Sequence, residues 1–336
     1  MPVQYEGILA EYQHTRRAVT VFDISHMGEF LIEGDCVNSG LDRIFTMSLV
    51  DMPIRTAKYG MMLNEHGGTI DDCLVFRILE NKWFIVVNGA TASKDAHHIQ
   101  RHINETAQFH DATFEIGKID IQGPLSRDIM KKLIPDIVNL DYFAFDYFDL
   151  LGKNVLVSRT GYTGELGYEI FYPWQDTAIL WDELLKFENV KPAGLGARDI
   201  LRLEAGYSLY GHELSEDITP LEAGLSRFVD FNKEFIGKKA LLKQKQEGLN
   251  QKLVGLMSES RKSPREGQII YSQTQKEIGR VSSGTFSPYL NKGIGVGFVV
   301  TQEWTLGQKI YFGSPENQVP AQVTGRAFYK QGSIKS

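Results

Sequence analysis

Short apolar runs separated by turns dominate the chain, and amphipathic helices lie between them. Residues 55–130 show the two-residue apolar period of strands most clearly. The strands predicted there lie at 59–63, 73–78, 83–87, 113–116 and 119–121. One helix is predicted from Ser93, as N-cap, to residue 107, and a second begins after Pro124. Strands that carry two helices predict an antiparallel α+β layer.

The sequence before and after residues 55–130 contains both helical and strand-like patterns. The helices predicted there lie at 5–19, 38–46, 175–187 and 196–206, and strand-like stretches lie at 20–34 and 147–172. From Leu253 onward the pattern changes to short apolar runs separated by Gly, Ser and Pro turns. That pattern is typical of a small β-barrel or sandwich.

Composition narrows the class of protein. The chain has 336 residues, a length that predicts two or three domains, and its 42% hydrophobic and 23% charged residues are ordinary for a globular protein. The net charge of −6 argues against general nucleic-acid binding. No apolar run reaches the roughly 18 residues of a membrane helix, and the N-terminus lacks the apolar core of a secretory leader. Cys36 and Cys73 predict neither a disulfide framework nor a zinc site, which favours a reducing compartment.

Several motifs for metal, phosphate or acid–base chemistry are incomplete. The glycines of GYTGELG and GLGARD lack the dinucleotide-binding spacing, and no Walker motif is present. His98 and His102 have the spacing of two zinc ligands on a helix, but no third ligand is evident, so we predict solvent-facing histidines and no metal. Asp71 and Asp72 are adjacent in a strand and point to opposite faces, so GGTIDD predicts a glycine turn entering a strand.

The segment GLGARDILRLEAGYSLYGHE at 194–213 places Arg198 and Arg202 four residues apart on one helix face. Two like charges at that spacing destabilise an isolated helix by roughly 0.2–0.5 kcal/mol. Either acidic neighbours such as Asp199 and Glu204 or a bound anion must therefore stabilise them. A structural salt-bridge network and a ligand site both fit this pattern.

Three further side chains are candidates for ligand contact. Asp95 follows an apolar strand and lies in the first turn of a helix, where the positive helix end favours its ionised form. Glu169 alternates with Tyr168 and Ile170 along a strand. It faces either water or a cleft, where its carboxylate accepts two parallel N–H bonds from an aminopyrimidinone edge. Tyr162 has the shape to stack on a flat ring.

These segments together resemble the T-protein family of the glycine cleavage system, a family of folate-binding aminomethyltransferases. The resemblance covers nearly the whole chain, and it is most specific in GARDILRLEAG and RTGYTGELGYEI. The segments are FDISHMGE (22–29), YGMMLNEHGGTIDDCLVFR (59–77), VVNGATASKD (86–95), IQGP (121–124), RTGYTGELGYEI (159–170), GLGARDILRLEAGYSLYGHE (194–213), TPLEAGL (219–225) and VSSGTFSP (281–288).

The resemblance implies an α+β fold with three domains in a clover-like arrangement around a central hole that holds tetrahydrofolate. The expected domains are a discontinuous central folate-binding domain at 1–52 and 140–245, an α+β antiparallel-sheet domain at 53–139, and a C-terminal domain at 246–336. The last of these is expected to be a β-barrel or jelly-roll-like domain.

The resemblance also implies an activity in glycine catabolism and one-carbon metabolism. The lipoyl arm of H-protein presents an S-aminomethyl group, and its one-carbon unit passes to tetrahydrofolate, giving methylenetetrahydrofolate, ammonia and the reduced arm. The implied partners are lipoylated H-protein, glycine decarboxylase and lipoamide dehydrogenase, with no nucleic acid and no membrane. The implied location is the cytoplasm, or the mitochondrial matrix if a leader was removed.

Residue roles are carried over from the family by motif. They assign Asp95 as the essential acid, Glu169 as the holder of the pterin edge, Arg198 and Tyr162 to the folate site, and the region of Tyr329 and Lys330 to a C-terminal folate contact. Arg202 is expected to stay structural. This chain has Asn88-Gly89 where the family has Asn-Ala, and the glycine is expected to loosen the loop before Asp95. The chain is also shorter than is usual for the family, and the shortening is expected to fall in loops.

Two other functions stay open from the sequence. One is a tetrahydrofolate-dependent demethylase or methyltransferase that acts on a small molecule. The other is a non-catalytic folate-binding protein of iron–sulfur cluster assembly, whose KGCYxGQE segment this chain lacks. Residues 227–265 contain ten basic and four acidic residues. This excess of positive charge fits either a solvated surface or a docking patch for an acidic partner. A docking patch favours the T-protein interpretation, because H-proteins are acidic.

Overall fold

A computed structural model describes residues 1–335. The helices are α1 (Ile8–Arg17), α2 (Ala92–His102), α3 (Ser126–Leu133), α4 (Thr177–Leu185), α5 (Leu195–Ala205) and α6 (Lys238–Glu247). The strands are β1 (Val19–Asp23), β2 (Gly28–Glu33), β3 (Ala57–Leu63), β4 (Thr69–Leu79), β5 (Lys82–Val87), β6 (Gln108–Asp111), β7 (Ile116–Gln122), β8 (Phe145–Leu150), β9 (Lys153–Ser158), β10 (Gly167–Pro173), β11 (Val190–Pro192), β12 (Gln251–Ser258), β13 (Ile269–Tyr271), β14 (Glu277–Ser287), β15 (Lys292–Val300), β16 (Lys309–Ser314) and β17 (Asn317–Thr324). Within residues 1–335, no helix is long and apolar enough to span a membrane.

The first sheet has six strands in the order β11-β1-β7-β10-β9-β8. All neighbouring strands are antiparallel except β11 and β1, which run parallel. Tyr168 and Ile170 of β10 point into an apolar core that also contains Met130 of α3 and Leu180 of α4. Because side chains alternate along a strand, Glu169 lies on the opposite face of this sheet.

The second sheet has five antiparallel strands in the order β3-β4-β5-β2-β6. Its apolar face packs on α2 through Ile99, around the fully buried Trp83 and Phe30. The strands predicted at 59–63, 73–78 and 83–87 are confirmed as β3, β4 and β5.

An aromatic layer joins the two sheets. Phe76 and Phe84 of the second sheet meet Phe145 and Phe171 of the first, with ring centroids 5.0 to 5.7 Å apart. Such edge-on contacts contribute about 0.5–1.5 kcal/mol each beyond area burial. Because Phe171 lies two residues after Glu169, the face that carries Glu169 is turned toward the second sheet.

The C-terminal strands form a closed barrel in the order β12-β15-β14-β13-β16-β17, which confirms the predicted barrel and the α+β class. Its interior is filled by apolar side chains such as Leu256, Ile310 and Phe312. Helix α5 packs against the barrel, because Leu203 shares a small cluster with Leu253 of β12.

Two predicted elements near the second sheet are wrong. Residues 113–115 form a turn instead of a strand, and β6 pairs with β2 just before that turn. Strand β6 has mostly exposed polar residues, so it lacks the apolar alternation that predicts a strand. The helix predicted at 38–46 is only a 3-10 turn at Leu41–Ile44. Gly40 before it has φ 84°, a left-handed conformation that interrupts a helix.

The start of α2 and the strand boundaries at 147–172 also differ from prediction. Thr91, not Ser93, occupies the N-cap, and Ser93 lies inside the helix. The Thr91 hydroxyl binds Asp71 at 2.8 Å, so the cap residue is held by the neighbouring strand. The GYTGEL segment is a loop between β9 and β10, and the φ of 79° at Gly164 gives the tight turn there.

Strand pairing crosses the expected division into domains. Strand β2, expected in the central domain, pairs with β5 and β6 of the second sheet. Strand β7, expected in the 53–139 domain, pairs with β1 and β10 of the first sheet. The domain boundaries stay a prediction, and any division must keep these pairings intact.

Candidate active site

Helix α5 contacts the first sheet, α1 and the barrel. It begins after Gly194, whose N–H donates to Glu11 at 2.8 Å, and it ends at Gly206, with φ 81°. Along its length it carries the buried charges Arg202 and Glu204 and the partly buried Arg198. Each of these three side chains reaches a different part of the chain.

Arg202 and Glu204 join α5 to its surroundings. Arg202 pairs with Asp199 and Glu213, both at 2.8 Å, and donates to the Ser283 hydroxyl of the barrel at 2.9 Å. The predicted pairing of Arg202 with nearby acids is therefore confirmed. Glu204 does not pair with the α5 arginines, because it binds Arg16 at 2.8 Å instead.

Arg198 points toward the first sheet. Its Nη1 lies 2.7 Å from the Asp120 carboxylate of β7, and its guanidinium carbon lies 5.0 Å from the centre of the Tyr162 ring. The partner that offsets the Arg198 charge thus comes from a strand 78 positions earlier in the chain, not from α5 itself. The contact with Asp120 offsets the charge of Arg198 and so explains how two arginines can lie four residues apart on α5. The face of the Arg198 guanidinium lies against the Tyr162 ring.

Glu169 is buried beside two donors. Its Oε2 accepts from the Thr160 hydroxyl at 2.7 Å and lies 3.3 Å from the Lys118 ammonium, while Oε1 makes neither contact. Burial acts to raise the pKa of Glu169, but the Lys118 charge, the Thr160 hydrogen bond and the Arg198 charge outweigh it and lower the pKa. Glu169 is therefore an ionised acceptor in a site shielded from water.

Asp120 is the direct neighbour of Glu169 across the antiparallel β7–β10 pair. Burial and the Glu169 charge raise the pKa of Asp120 to about 7, against the opposing effects of Arg198 and Lys118. Its Oδ1 is buried without a hydrogen-bond partner in residues 1–335. The carboxyls of Asp120 and Glu169 thus lie on one face of the sheet together with the cations of Lys118 and Arg198. The Oδ1 atom of Asp120 is the acceptor that none of these contacts uses.

Tyr162 lies in the loop before β10, against α5 and the segment after it. Its hydroxyl donates to the Ser208 carbonyl, and its ring stacks on Tyr207 at 5.6 Å with planes 20° apart. Burial raises the pKa of Tyr162, so its hydroxyl stays protonated. Arg198 thus contacts the Tyr162 ring, and its charge also acts on Glu169, while the roles of these three residues toward folate stay predictions.

Asp95 is fully buried at the start of α2. Burial and the charge of Asp71 raise the pKa of Asp95 to about 9. The expectation that the helix end would favour an ionised Asp95 is therefore wrong, since desolvation and a neighbouring carboxylate outweigh the helix dipole.

A chain of polar contacts leads from Asp71 through Asn88 and Asp72 to Tyr59. The Asn88 amide donates to Asp71 at 2.8 Å and to Asp72 at 2.9 Å, and Asp72 accepts from Tyr59 at 2.9 Å. Burial raises the pKa of Tyr59 well above its ordinary value, and the charge of Asp72 and its hydrogen bond with Tyr59 add to this effect. Asp71 and Asp72 are thus linked through one side chain, although they lie on opposite strand faces as predicted.

The Gly89 loop before Asp95 is packed closely instead of being loosened. A Cβ at Gly89 would lie 1.9 Å from the carbonyl oxygen of His26, so no larger residue fits without movement of the backbone. Burial and the positive charge of Arg198 lower the pKa of His26. His26 therefore lies between the Asp95 loop and the Arg198 site.

Tyr329 lies at the far side of the GYTGE loop. Its ring is 3.8 Å from the Arg16 guanidinium carbon and 4.9 Å from the Tyr289 ring. Burial and Glu165 raise the pKa of Tyr329 to about 12. Lys330 is exposed, and the folate contact predicted for this region stays a prediction.

The histidine pair on α2 is only partly exposed. The His98 and His102 rings lie 4.5 Å apart, and His98 is half-buried, so it does not face solvent as predicted. Burial, together with the positive charges nearby, lowers the pKa of His98 to about 4. Within residues 1–335, no group of three or more His, Cys, Asp or Glu side chains is arranged to hold a metal ion.

Three polar residues of this site were not singled out for it by their sequence positions. Lys118 and Asp120 alternate with apolar residues in KIDIQ, which is typical of a half-exposed strand, yet both are buried. The sequence predicts a glycine turn entering a strand at Asp71, and the structure buries Asp71 fully in β4. All three residues lie in strands next to motif segments. A polar side chain that points inward from such a strand needs a polar partner, and this requirement could have identified them as site residues.

Known proteins are similar to this chain along its whole length. The family model described as the GCVT N-terminal domain matches residues 1–233, and the Glycine cleavage T-protein C-terminal barrel domain matches residues 251–330. A protein from Pseudothermotoga lettingae named Aminomethyltransferase is 42% identical, covering 100% of this chain and 93% of the relative. One of the same name from Listeria monocytogenes serotype 4a is 41% identical, covering 98% and 92%. The crystal structure of glycine cleavage system aminomethyltransferase T from Bartonella henselae has a TM-score of 0.91 at 29% identity, covering 99% of this chain and 92% of that one.

Proposed function

The chain belongs to the glycine cleavage T-protein family and is an aminomethyltransferase, and from this premise we propose its acceptor, donor and site residues. The acceptor is tetrahydrofolate, and the donor is the S-aminomethyl group on the lipoyl arm of H-protein. The products are methylenetetrahydrofolate, ammonia and the reduced lipoyl arm. The observation that supports this most directly is the buried, ionised Glu169, on which the charges of Lys118 and Arg198 act, with Tyr162 against Arg198.

The donor and acceptor atoms of the site fit a pterin. A pterin edge offers two adjacent N–H donors, and an ionised carboxylate accepts both in parallel. Glu169 has that charge, and its Oε1 takes no part in the contacts with Thr160 and Lys118. The unpartnered Oδ1 of Asp120 adds a second buried acceptor on the same sheet face.

The neighbouring side chains orient the ligand. Arg198 contributes a fixed positive charge, held by Asp120 at 2.7 Å, and Tyr162 contributes an aromatic face at the same place. Both are held before any ligand binds, which lowers the entropy cost of binding. Tyr329 contacts the ligand from the C-terminal side of the GYTGE loop.

Asp95 is the acid of the proposed reaction. Two amine nitrogens of tetrahydrofolate bond to the one-carbon unit as the C–S and C–N bonds of the donor break, and their two N–H protons balance those taken up by the lipoyl thiolate and by the departing ammonia. The nitrogen that departs as ammonia keeps the electron pair of the broken C–N bond and needs a proton. Asp95, whose pKa is raised to about 9, holds a proton at neutral pH and is left as a carboxylate when it gives that proton up.

H-protein is the proposed macromolecular partner, within the glycine cleavage system. Residues 227–265 carry six more basic than acidic residues, ten against four, and Lys239, Lys243 and Lys245 on α6 are exposed. Lys233 is not available to a partner, because its ammonium binds the Phe45 and Met47 carbonyls at 2.9 and 3.0 Å. We propose that the exposed lysines of α6 attract the acidic H-protein.

Since both relatives described above are bacterial, we propose the bacterial cytoplasm as the location.

The function is tested with aminomethylated H-protein and tetrahydrofolate. We expect this protein to release ammonia only when both are present, and to leave small methylated amines unchanged. Release of a methyl group from a small amine, with no turnover of aminomethylated H-protein, would contradict the proposal.

The partner surface is tested separately. Lys243→Glu should raise KM for H-protein and leave tetrahydrofolate affinity unchanged. Lys186→Glu, at the exposed residue directly after α4, is the matched control and should change neither. Equal effects of the two variants would argue against the α6 surface.

A further inference from the structure

Arg16 of α1 is buried where the GYTGE loop at 161–165 meets the C-terminal end of α5. Its Nη1 donates to the Thr163 carbonyl at 2.7 Å and to the Glu165 carboxylate at 2.9 Å, and its Nη2 donates to the Glu204 carboxylate at 2.8 Å. A guanidinium presents its donors as a fixed fork, so one side chain can hold a loop carbonyl and two carboxylates at once. Arg16 thus ties the GYTGE loop to α5.

Neutral donors complete the hydrogen bonds of the two carboxylates. Glu204 also accepts from the Tyr12 hydroxyl at 2.7 Å and from the Ser287 hydroxyl of the barrel at 2.5 Å. Glu165 also accepts from the backbone N–H of Ser333 at 2.9 Å and from its hydroxyl at 2.6 Å. The two carboxylates are 2% and 0% exposed, so each needs these partners in place of water.

The C-terminal segment 326–333 is fastened to the same cluster. After β17 the chain crosses the end of α5, where the N–H groups of Phe328 and Tyr329 both donate to the Glu204 carbonyl at 2.8 Å. The Tyr329 ring lies against the Arg16 guanidinium, whose carbon is 3.8 Å from the ring centre. One arginine therefore contacts the GYTGE loop, α5 and the C-terminal segment.

The C-terminal segment also lies directly on the GYTGE loop. The Ser333 hydroxyl accepts from the Leu166 N–H at 3.0 Å and donates to Glu165. A Cβ at Gly332 would lie 2.0 Å from the Gly164 carbonyl oxygen, so the two backbones are too close for a larger residue. The loop is thus held both by α1 and by the C-terminal segment.

The loop held in this way carries a side chain of the candidate site. Thr163, whose carbonyl Arg16 binds, directly follows Tyr162, and the Tyr162 ring contacts the Arg198 guanidinium. A shift of the loop would therefore move the Tyr162 ring relative to Arg198. A shift of the C-terminal segment would move Tyr329 in the same way.

We propose that Arg16 is a positioning residue for the folate site: it fixes Tyr162 of the GYTGE loop and Tyr329 of the C-terminal segment relative to α5 before the ligand binds. This inference rests on the folate site proposed above. Ordering side chains on binding costs free energy, so side chains that are already held in place raise affinity. Arg16 therefore acts on the affinity for tetrahydrofolate and leaves the rate of the transfer step to other residues.

Arg16→Lys tests this role in the full-length protein. Lysine keeps the positive charge, but its single ammonium cannot reproduce the fork to a carbonyl and two carboxylates. We expect amide hydrogen exchange at 161–165 and 326–333 of the ligand-free protein to become about tenfold faster or more. We also expect KM for tetrahydrofolate to rise about tenfold, with kcat unchanged at saturating tetrahydrofolate. Arg17→Lys, at the next and exposed residue of α1, is the matched control and should change none of these.

Ser333→Ala gives an independent answer if Arg16→Lys fails to fold. It keeps both ion pairs of Arg16 and removes the two hydrogen bonds of the Ser333 hydroxyl. Exchange at 326–333 should become faster, and KM for tetrahydrofolate should rise about threefold with kcat unchanged.

The outcomes separate this role from the proposed function. Unchanged exchange in both variants, or faster exchange with a wild-type KM, would overturn the positioning role of Arg16. A fall in kcat with no change in KM would overturn it as well. Wild-type protein that neither binds nor uses tetrahydrofolate would instead overturn the proposed function, and the role of Arg16 with it.

Discussion

Replacing Glu169 with Gln separates its role in binding from its role in folding. The substitution keeps the shape and removes the charge that two parallel N–H donors of a pterin would meet. A hydrogen bond to a charged group contributes about 1.5–3 kcal/mol, so we expect tetrahydrofolate affinity to fall about 10-fold to about 100-fold. The same change leaves Lys118, which is 1% exposed and 3.3 Å from Glu169, without its ion pair. Leaving a buried charge unpaired costs up to about 3–5 kcal/mol of folding stability.

The double variant Glu169→Gln/Lys118→Met distinguishes the two effects. Removing both charges restores the charge balance between Asp120 and Arg198, so urea unfolding should return most of the lost stability. Calorimetric titration with tetrahydrofolate should still show the weak binding of the single variant. Wild-type affinity in the double variant would refute the assignment of Glu169 to the pterin edge.

Three further predictions concern charged residues around the site. Arg198→Ala should weaken tetrahydrofolate binding about tenfold or more, measured by calorimetry, and unchanged affinity would rule out its ligand role. Arg202→Leu leaves the buried Glu213 without its counter-ion, so the free energy of unfolding should drop by about 3–5 kcal/mol in urea titrations, and a loss under about 1 kcal/mol would refute this account. Burial raises the pKa of Asp95 to about 9 and that of Glu29 to about 8, so the folded state holds protons that the unfolded state releases above about pH 4. Stability should therefore fall from mildly acidic pH toward pH 9, by at most about 1.4 kcal/mol per pH unit for each group, and Asp95→Asn should flatten that fall, whereas a rise would contradict it.

The barrel and the β3–β5 strands were predictable because their apolar alternation is local. Strand β6 was not, because its exposed polar residues owe their conformation to pairing with β2. The helix predicted at 38–46 failed for a backbone reason, the left-handed Gly40. The local pattern of apolar residues therefore predicts strands and helices in which buried and exposed positions alternate regularly. It misses elements whose conformation depends on pairing with a segment far away in the sequence.

The candidate site divides in the same way. The family resemblance assigns Glu169, Arg198 and Tyr162 to the site, and in the structure Arg198 contacts the Tyr162 ring and its charge acts on Glu169. The partners that set their charges come from elsewhere in the chain, as Asp120 does for Arg198. Burial and the charge of Asp71, which lies in another element, raise the pKa of Asp95, so no local rule about helix ends predicts its neutral form.

A crystal structure of this protein with bound tetrahydrofolate tests the central claim most directly. The account predicts the aminopyrimidinone edge within about 2.7–3.2 Å of the Glu169 carboxylate, the ring beside Arg198 and Tyr162, and the reacting amine facing Asp95. A pterin bound away from Glu169, or with its reacting amine turned away from Asp95, would contradict it.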